Sequence, residues 1–300
     1  PAPSAFFRTL GKQDACVQSV LQSRFDPSAM DSKNVSKPTK RSYLRSLLGR
    51  EYYTVRRQIK WLANSRSFGR QEPETKLEHS IFRHKTMMLR PLRDVEMYLQ
   101  HNKITNLRLA IAPITGVVIR PRQSFSIWKM VGRPTASKGF LEGLVLHNGK
   151  IEKGIGGGLC QLGNLLYWIA LHSPLTVTER YRHGFDVFPD INRKIPFACG
   201  ATLAYNYIDL QLRNDTDAAF RIDLWIDDEY LNGELTSDRE KEFEFEVFET
   251  DHLIKMQPWG GYTRHNRIWQ RRTSLIDGMT SEQLITENHA IMMYNPLLTA

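Results

Sequence analysis

Three consecutive glycines and one leucine precede a cysteine in Gly154-Ile155-Gly156-Gly157-Gly158-Leu159-Cys160-Gln161-Leu162-Gly163-Asn164. Adjacent glycines cost folding entropy, so a fold keeps them where the backbone takes unusual dihedrals or lets another group approach closely. Leu159, Leu162, Leu165, Leu166 and Ile169 then recur at helical spacing, which places Cys160 in the first turn of a buried helix. Free N–H groups and the positive dipole end at such a terminus stabilise a thiolate, and can lower a cysteine pKa from ~8.5 into roughly the 3.5–7.5 range. That thiolate would be a nucleophile for acyl transfer, with the backbone amides of Gly156, Gly157 and Gly158 as candidate donors to the oxyanion. A base is also required. His183 follows twenty-three residues on, in Glu179-Arg180-Tyr181-Arg182-His183, and Asp186, Asp190 or Asp209 is a candidate to orient its imidazole.

Plainer readings of these residues stay open beside the chemical one. A cysteine in an apolar helix also packs as a small hydrophobe. A glycine-rich loop before a helix can bind phosphate, but this one lacks the Lys-Ser/Thr ending of a P-loop and does not complete Gly-x-Gly-x-x-Gly. His172 closes the helix ~18 Å from Cys160, too far for a base, and reads as a charge partner for the helix C-terminus. Cys199 beside Gly200 reads as structural. Asp227-Asp228-Glu229 reads as a solvated turn rather than a metal site, and the aromatic residues Trp128, Tyr167, Trp168, Tyr205, Tyr207 and Trp225 mainly as core.

The elements that must position these groups follow from periodicity. From Ser42, Leu44, Leu47, Leu48, Tyr52, Val55, Ile59 and Leu62 fall at intervals of three and four with Arg45, Arg50, Arg56, Arg57 and Lys60 between them, which predicts a basic amphipathic helix packing its apolar side on the core. A second helix is expected over Met87 to Gln100, strands over Leu107 to Ile119 and Ser124 to Trp128 around a turn at 120–123, a helix from Gly158 to His172, and a strand over Thr176 to Arg180. Further strands are expected at 201–205, 208–212, 220–226 and 243–248, with Asn214 to Asp217 as a turn. The sum is an α+β chain: a basic helical N-terminal region, a central buried helix after a Gly-rich loop, and a mainly antiparallel C-terminal sheet. Residues 26–40 read as a loop or linker.

Composition narrows the class. A 300-residue chain with 41% hydrophobic and 24% charged residues is globular, not disordered or collagenous. Its net charge of +9 hides a split: +11 over residues 33–90 and −11 over residues 209–251 cancel and the rest of the chain supplies the +9, so the molecule is bipolar, which weakens a nucleic-acid reading. The basic part is a candidate contact for an anionic membrane or wall polymer. Three cysteines, Cys16, Cys160 and Cys199, fit neither a disulfide framework nor a zinc spacing. No apolar stretch reaches the ~20 residues of a membrane-spanning helix, and residues 1–7 lack a secretory pattern, which points to a cytoplasmic chain.

The run Gly156 to Leu162, with Asn164-Leu165-Leu166-Tyr167, His172-Ser173-Pro174-Leu175-Thr176 and Glu179 to His183, resembles the VanW family. The likeness extends upstream through Pro121 to Trp128 and Gly139 to Leu144, and downstream through Asp186 to Asp190, Gly200-Ala201-Thr202 and Asp209 to Thr216. It covers about residues 45–250 and is densest over 120–217, which suggests an N-terminal extension (1–40), a VanW-like domain (41–250) and a C-terminal extension (251–300). Arg122 stands where that family usually has Gly, and Gln123 where it has Glu. The resemblance implies bacterial cell-wall metabolism and, for some members, L,D-transpeptidase-type crosslinking with the matching cysteine as nucleophile. Cys160 would then attack a peptidoglycan stem-peptide carbonyl with His183 as base, and Gln161 and Asn164 would be candidate substrate contacts. A non-catalytic accessory or binding protein of the same metabolism is the alternative. Neither reading calls for a cofactor or metal.

Overall fold

The computed structural model describes residues 43–89, 96–147, 150–187 and 194–296, and residues 40–300 make one compact unit. Asp190 and Cys16 lie outside the described residues, as does all of the predicted linker, 26–40. Along the chain come α1 (Tyr43–Ala63), β1 (Arg70–Gln71), β2 (His79–Met87), α2 (Met97–Ile111), β3 (Val117–Ile119), β4 (Ser124–Ser126), α3 (Ile127–Val131), β5 (Glu142–His147) and β6 (Lys150–Ile155). After these follow α4 (Cys160–Leu171), β7 (Thr176–Glu179), β8 (Phe185–Asp186), β9 (Gln211–Arg213), β10 (Phe220–Ile226), β11 (Tyr230–Ser237), β12 (Phe243–Met256), β13 (Tyr262–Ser274) and β14 (Thr280–Met292).

The architecture is α+β. One sheet has the order β1-β3-β10-β11-β2, a second β4-β9-β7, and β5 and β6 form a hairpin. The C-terminal sheet has the order β12-β13-β14-β8 and is antiparallel except where β8 joins β14. α4 lies on the first sheet: Leu162 and Leu165 are fully enclosed, and a methyl group at Gly233 of β11 would meet Ile169 at 2.8 Å. At about 25 cal/mol per Å² of apolar surface removed from water, these leucines and their neighbours make α4 the centre of the core.

Several sequence expectations need correction. The second helix spans Met97–Ile111 rather than 87–100, so Leu107 to Ile111 is helical and only Val117–Ile119 is strand. Leu107, Leu109, Ala110 and Ala112 are good helix formers, and the helix ends at Ile111, just ahead of Pro113. The expected strand at 201–205 is only an isolated bridge between Ala204 and Ile208. Trp128 belongs to the short helix α3, which Ser126 caps by accepting from the Lys129 N–H at 3.1 Å. The turn at 120–123 forms despite Arg122, which takes φ +65°, and β12 continues past position 251 with a register shift between Thr250 and Leu253.

α1 forms where predicted, with its face reversed. Thr54, Arg57 and Trp61 point inward, whereas Leu48, Tyr52, Val55, Ile59 and Leu62 are exposed. What seats the helix is polar. Arg57 donates two hydrogen bonds of 2.8 Å to the Glu179 carboxylate, and Glu51 accepts from Arg133 at 2.8 Å.

Candidate functional site

α4 begins at Cys160, as the spacing of its leucines requires. The glycines before it serve a tight backbone junction. Gly156 (φ +75°) and Gly158 (φ +89°) take left-handed dihedrals, and at Gly157 a Cβ would lie 2.1 Å from the carbonyl carbon of Gly143 on β5. Asn106 of α2, fully buried, fixes this junction. Its amide donates to the Gly157 carbonyl at 2.9 Å and the Leu141 carbonyl at 3.0 Å, and its oxygen accepts from the Leu141 N–H at 2.8 Å. Nothing in the sequence marks Asn106, because the polar residue sits in an otherwise ordinary helix and its partners lie thirty-five and fifty-one residues away.

The three glycine amides are not available to an oxyanion. Gly156 N–H donates to Leu141 (2.9 Å), Gly157 N–H to Gly154 (3.1 Å) and Gly158 N–H to Leu144 (2.9 Å). The expectation that they point at substrate is not met: two of them tie the junction to the start of β5 and one closes the turn. The N–H groups of Leu159 and Cys160, by contrast, take no backbone acceptor among the described residues.

The Cys160 thiol is half-buried and is held by one backbone segment. Leu203 donates its N–H to Sγ at 3.5 Å, and the Leu203 carbonyl lies 3.9 Å from Sγ. Burial pushes the thiol above the usual range, and the smaller contributions of the Leu203 and Cys160 amides do not reverse it. The expected thiolate is therefore disfavoured in this arrangement, since desolvation outweighs the helix terminus.

Gln161, half-buried, and Asn164, exposed, each also make bonds that hold the fold. Asn164 Oδ1 accepts from the Ala201 N–H at 2.8 Å. Gln161 Nε2 donates to Thr86 Oγ1 at 3.0 Å and to the Met87 carbonyl at 2.9 Å, tying α4 to β2.

His183 is half-buried, and burial together with Arg182 lowers its pKa, so the imidazole is neutral near pH 7. It makes no hydrogen bond to Cys160 among the described residues. Residues 202–203 instead bond to both segments: the Thr202 N–H donates to the Tyr181 carbonyl at 2.8 Å and the Leu203 N–H to the cysteine at 3.5 Å. Nor does either acid orient it. Asp186 accepts from Tyr294 at 2.9 Å and pairs with Arg264 at 3.4 Å. His172, expected as a charged partner, stacks on Phe82 at 4.2 Å, and burial favours its neutral form.

Asp209 belongs to a separate buried cluster under α1. Ser126 donates to it at 2.6 Å, the Trp128 N–H at 3.3 Å and Gln211 at 3.3 Å, and Arg57 lies 3.7 Å away between it and Glu179. Burial raises its pKa to about 7, with Glu179 adding to the rise while Ser126, Trp128 and Arg57 oppose it. A cleft of about 1050 Å³ opens between β7 and the C-terminal sheet, lined by Leu171, Thr176, Glu179, Arg239, Phe245 and Arg272. Among the described residues, no three His, Cys, Asp or Glu side chains gather to hold a metal. Asp227 instead closes the β10–β11 turn, accepting from the Glu229 and Tyr230 N–H groups.

The turn, α4 and the strands around it coincide with a known family. Residues 102–236 match the model of VanW like protein. Over this stretch, fewer than half of its 300 residues, the chain is similar to the VanW family. It is 36% identical over 152 residues to the vancomycin B-type resistance protein VanW of Enterococcus faecalis, covering 51% of this chain and 55% of that one. It is also 27% identical over 112 residues to the uncharacterized protein YoaR of Bacillus subtilis, covering 36% of this chain and 34% of that one. The chain thus spans about half, or less, of the length of these relatives. No solved structure matches it. The VanW match takes in α2 with Asn106, the glycine junction, Cys160 and Asp209, while α1 and β12 to β14 lie outside it.

Proposed function

We propose that the protein serves bacterial cell-wall metabolism, in the setting of glycopeptide resistance that its VanW relative's name indicates, as a non-catalytic binding or accessory protein. The observation that carries this reading is the state of Cys160: a thiol kept neutral by burial and anchored to Leu203, beside glycine amides that are already bonded. The cleft beside β7 offers a place for a wall-derived peptide, with Arg239 and Arg272 for its carboxylates and Leu171 and Phe245 for its apolar parts.

A second reading is favoured by one feature. The N–H groups of Leu159 and Cys160, at the start of a twelve-residue helix, take no backbone acceptor among the described residues. If Leu203 moved aside, they would face the thiol's substrate, and Cys160 would act as an L,D-transpeptidase-type nucleophile with His183 as base. Iodoacetamide alkylation near pH 7, mapped by mass spectrometry, separates the two. The accessory reading expects Cys160 to react no faster than an ordinary thiol and Cys160→Ala to keep its effect on glycopeptide susceptibility. Rapid alkylation of Cys160, with loss of muropeptide crosslinking in Cys160→Ala, overturns it.

A further inference from the structure

We propose that the outward face of α1 docks on an anionic lipid surface. Leu48, Tyr52, Val55, Ile59 and Leu62 follow one another at intervals of four and three, and are 68%, 62%, 52%, 61% and 76% exposed. At about 100° per residue they form one stripe, roughly 21 Å long, on the side of the helix away from Thr54, Arg57 and Trp61. Isolated exposed apolar residues are ordinary on a protein surface, but a continuous line of five marks an interaction site. The orientation is fixed from the inside. Arg57 is clamped on Glu179, Gln58 reaches Tyr205 at 3.4 Å, and Trp61 enters the core.

Charge indicates what covers the stripe. Residues 43–70 hold seven Lys or Arg against one acid, and that acid, Glu51, is paired with Arg133. Arg56 and Lys60 run along one margin of the stripe, exposed and without an ion pair among the described residues. Long basic side chains at the margin of an apolar helix face reach lipid headgroups while the stripe enters the acyl boundary, and tyrosine suits that depth. A wall polymer or nucleic acid would satisfy the charge but offer nothing to five apolar side chains. A second copy packed antiparallel through the stripe would set Arg56 against Arg56, where like charges repel.

The test is cosedimentation of the full chain with phosphatidylcholine vesicles, with and without phosphatidylglycerol, alongside light scattering in the absence of lipid. The chain should bind the phosphatidylglycerol vesicles, bind the neutral ones weakly, and lose affinity as salt rises. Val55→Asp with Ile59→Asp, both at exposed positions and checked for an unchanged circular dichroism spectrum, should abolish binding. Arg56→Glu with Lys60→Glu should weaken it by about tenfold or more. Three results overturn the proposal: no binding to phosphatidylglycerol vesicles, binding that survives the double aspartate variant, or a lipid-free oligomer that the same variant dissolves.

Discussion

α1 and α4 have similar apolar periodicity and opposite fates. α4 is apolar nearly all round, with nine of its twelve residues buried, so any placement that covers it must put it inside. α1 has one apolar stripe and turns that stripe outward, seating itself through Arg57, Gln58, Thr54 and Trp61 instead. Its seat is imperfect, since the buried Thr54 hydroxyl has no hydrogen-bond partner among the described residues. Periodicity therefore identifies a stripe but not its direction. Direction depends on what the opposite face can pair with, and in α1 the strongest single partner is a buried ion-pair cluster.

Substitutions can break or sharpen this contrast. The largest effect is expected at Leu165→Ala in α4, where a fully buried side chain is lost beneath the first sheet; urea unfolding should show a loss of about 2–5 kcal/mol. Arg57→Ala should rank next, at about 1–3 kcal/mol, because it leaves the Glu179 and Asp209 carboxyl groups without their cation in a largely enclosed site. Limited proteolysis should then cut within α1 before α4. Equal protection of both helices in that variant would show that the cluster does not seat α1.

A third and smaller effect is a pH slope. The folded pKa of Asp209 is raised to about 7, above the ordinary carboxylate value of ~3.9, so the native state binds the proton more tightly. Its contribution to stability is full below the unfolded value, declines as pH rises toward about 7, and is flat above that. Unfolding midpoints across pH 4 to 8 should carry this downward component in the parent chain and lack it in Asp209→Asn. The smallest effect is expected at Ile59→Ala, within about 0.5 kcal/mol, because the side chain already meets solvent. A loss there as large as that at Leu165 would mean the stripe is covered in solution and would dissolve the contrast.

What the sequence made legible follows the same logic. α4, β10, the Asn214 to Asp217 turn and the start of β12 all declare themselves through local pattern, because apolar spacing or turn residues there agree with the final packing. The glycines and Cys160 were also visible as a junction, but their role was not. Gly157 is needed because Gly143 touches it, and Asn106 matters because it bonds Leu141 and Gly157, relations between distant residues that no local pattern encodes. β13 and β14 escaped for a related reason: their polar and charged residues are satisfied across the sheet, as in Arg267 with Glu287 and Arg271 with Glu282, rather than alternating cleanly with apolar ones. The α2 region misled because a Leu- and Ala-rich helix end abuts the genuine strand at Val117–Ile119.

Among the described residues β12 is an edge strand of its sheet, fourteen residues long, and residues 238–251, on or just before it, carry −5 of the −11 of residues 209–251. A strand of that length with an open edge is a template on which another molecule's strand can grow. Glu244 and Glu246, more than half exposed and paired with Lys241 and Arg271, place charged pairs along that strand, and the irregularity between Thr250 and Leu253, with Asp251 at φ +56°, breaks the run of regular pairing. Charge and irregular pairing at this edge thus both work against its joining the same edge of a second copy.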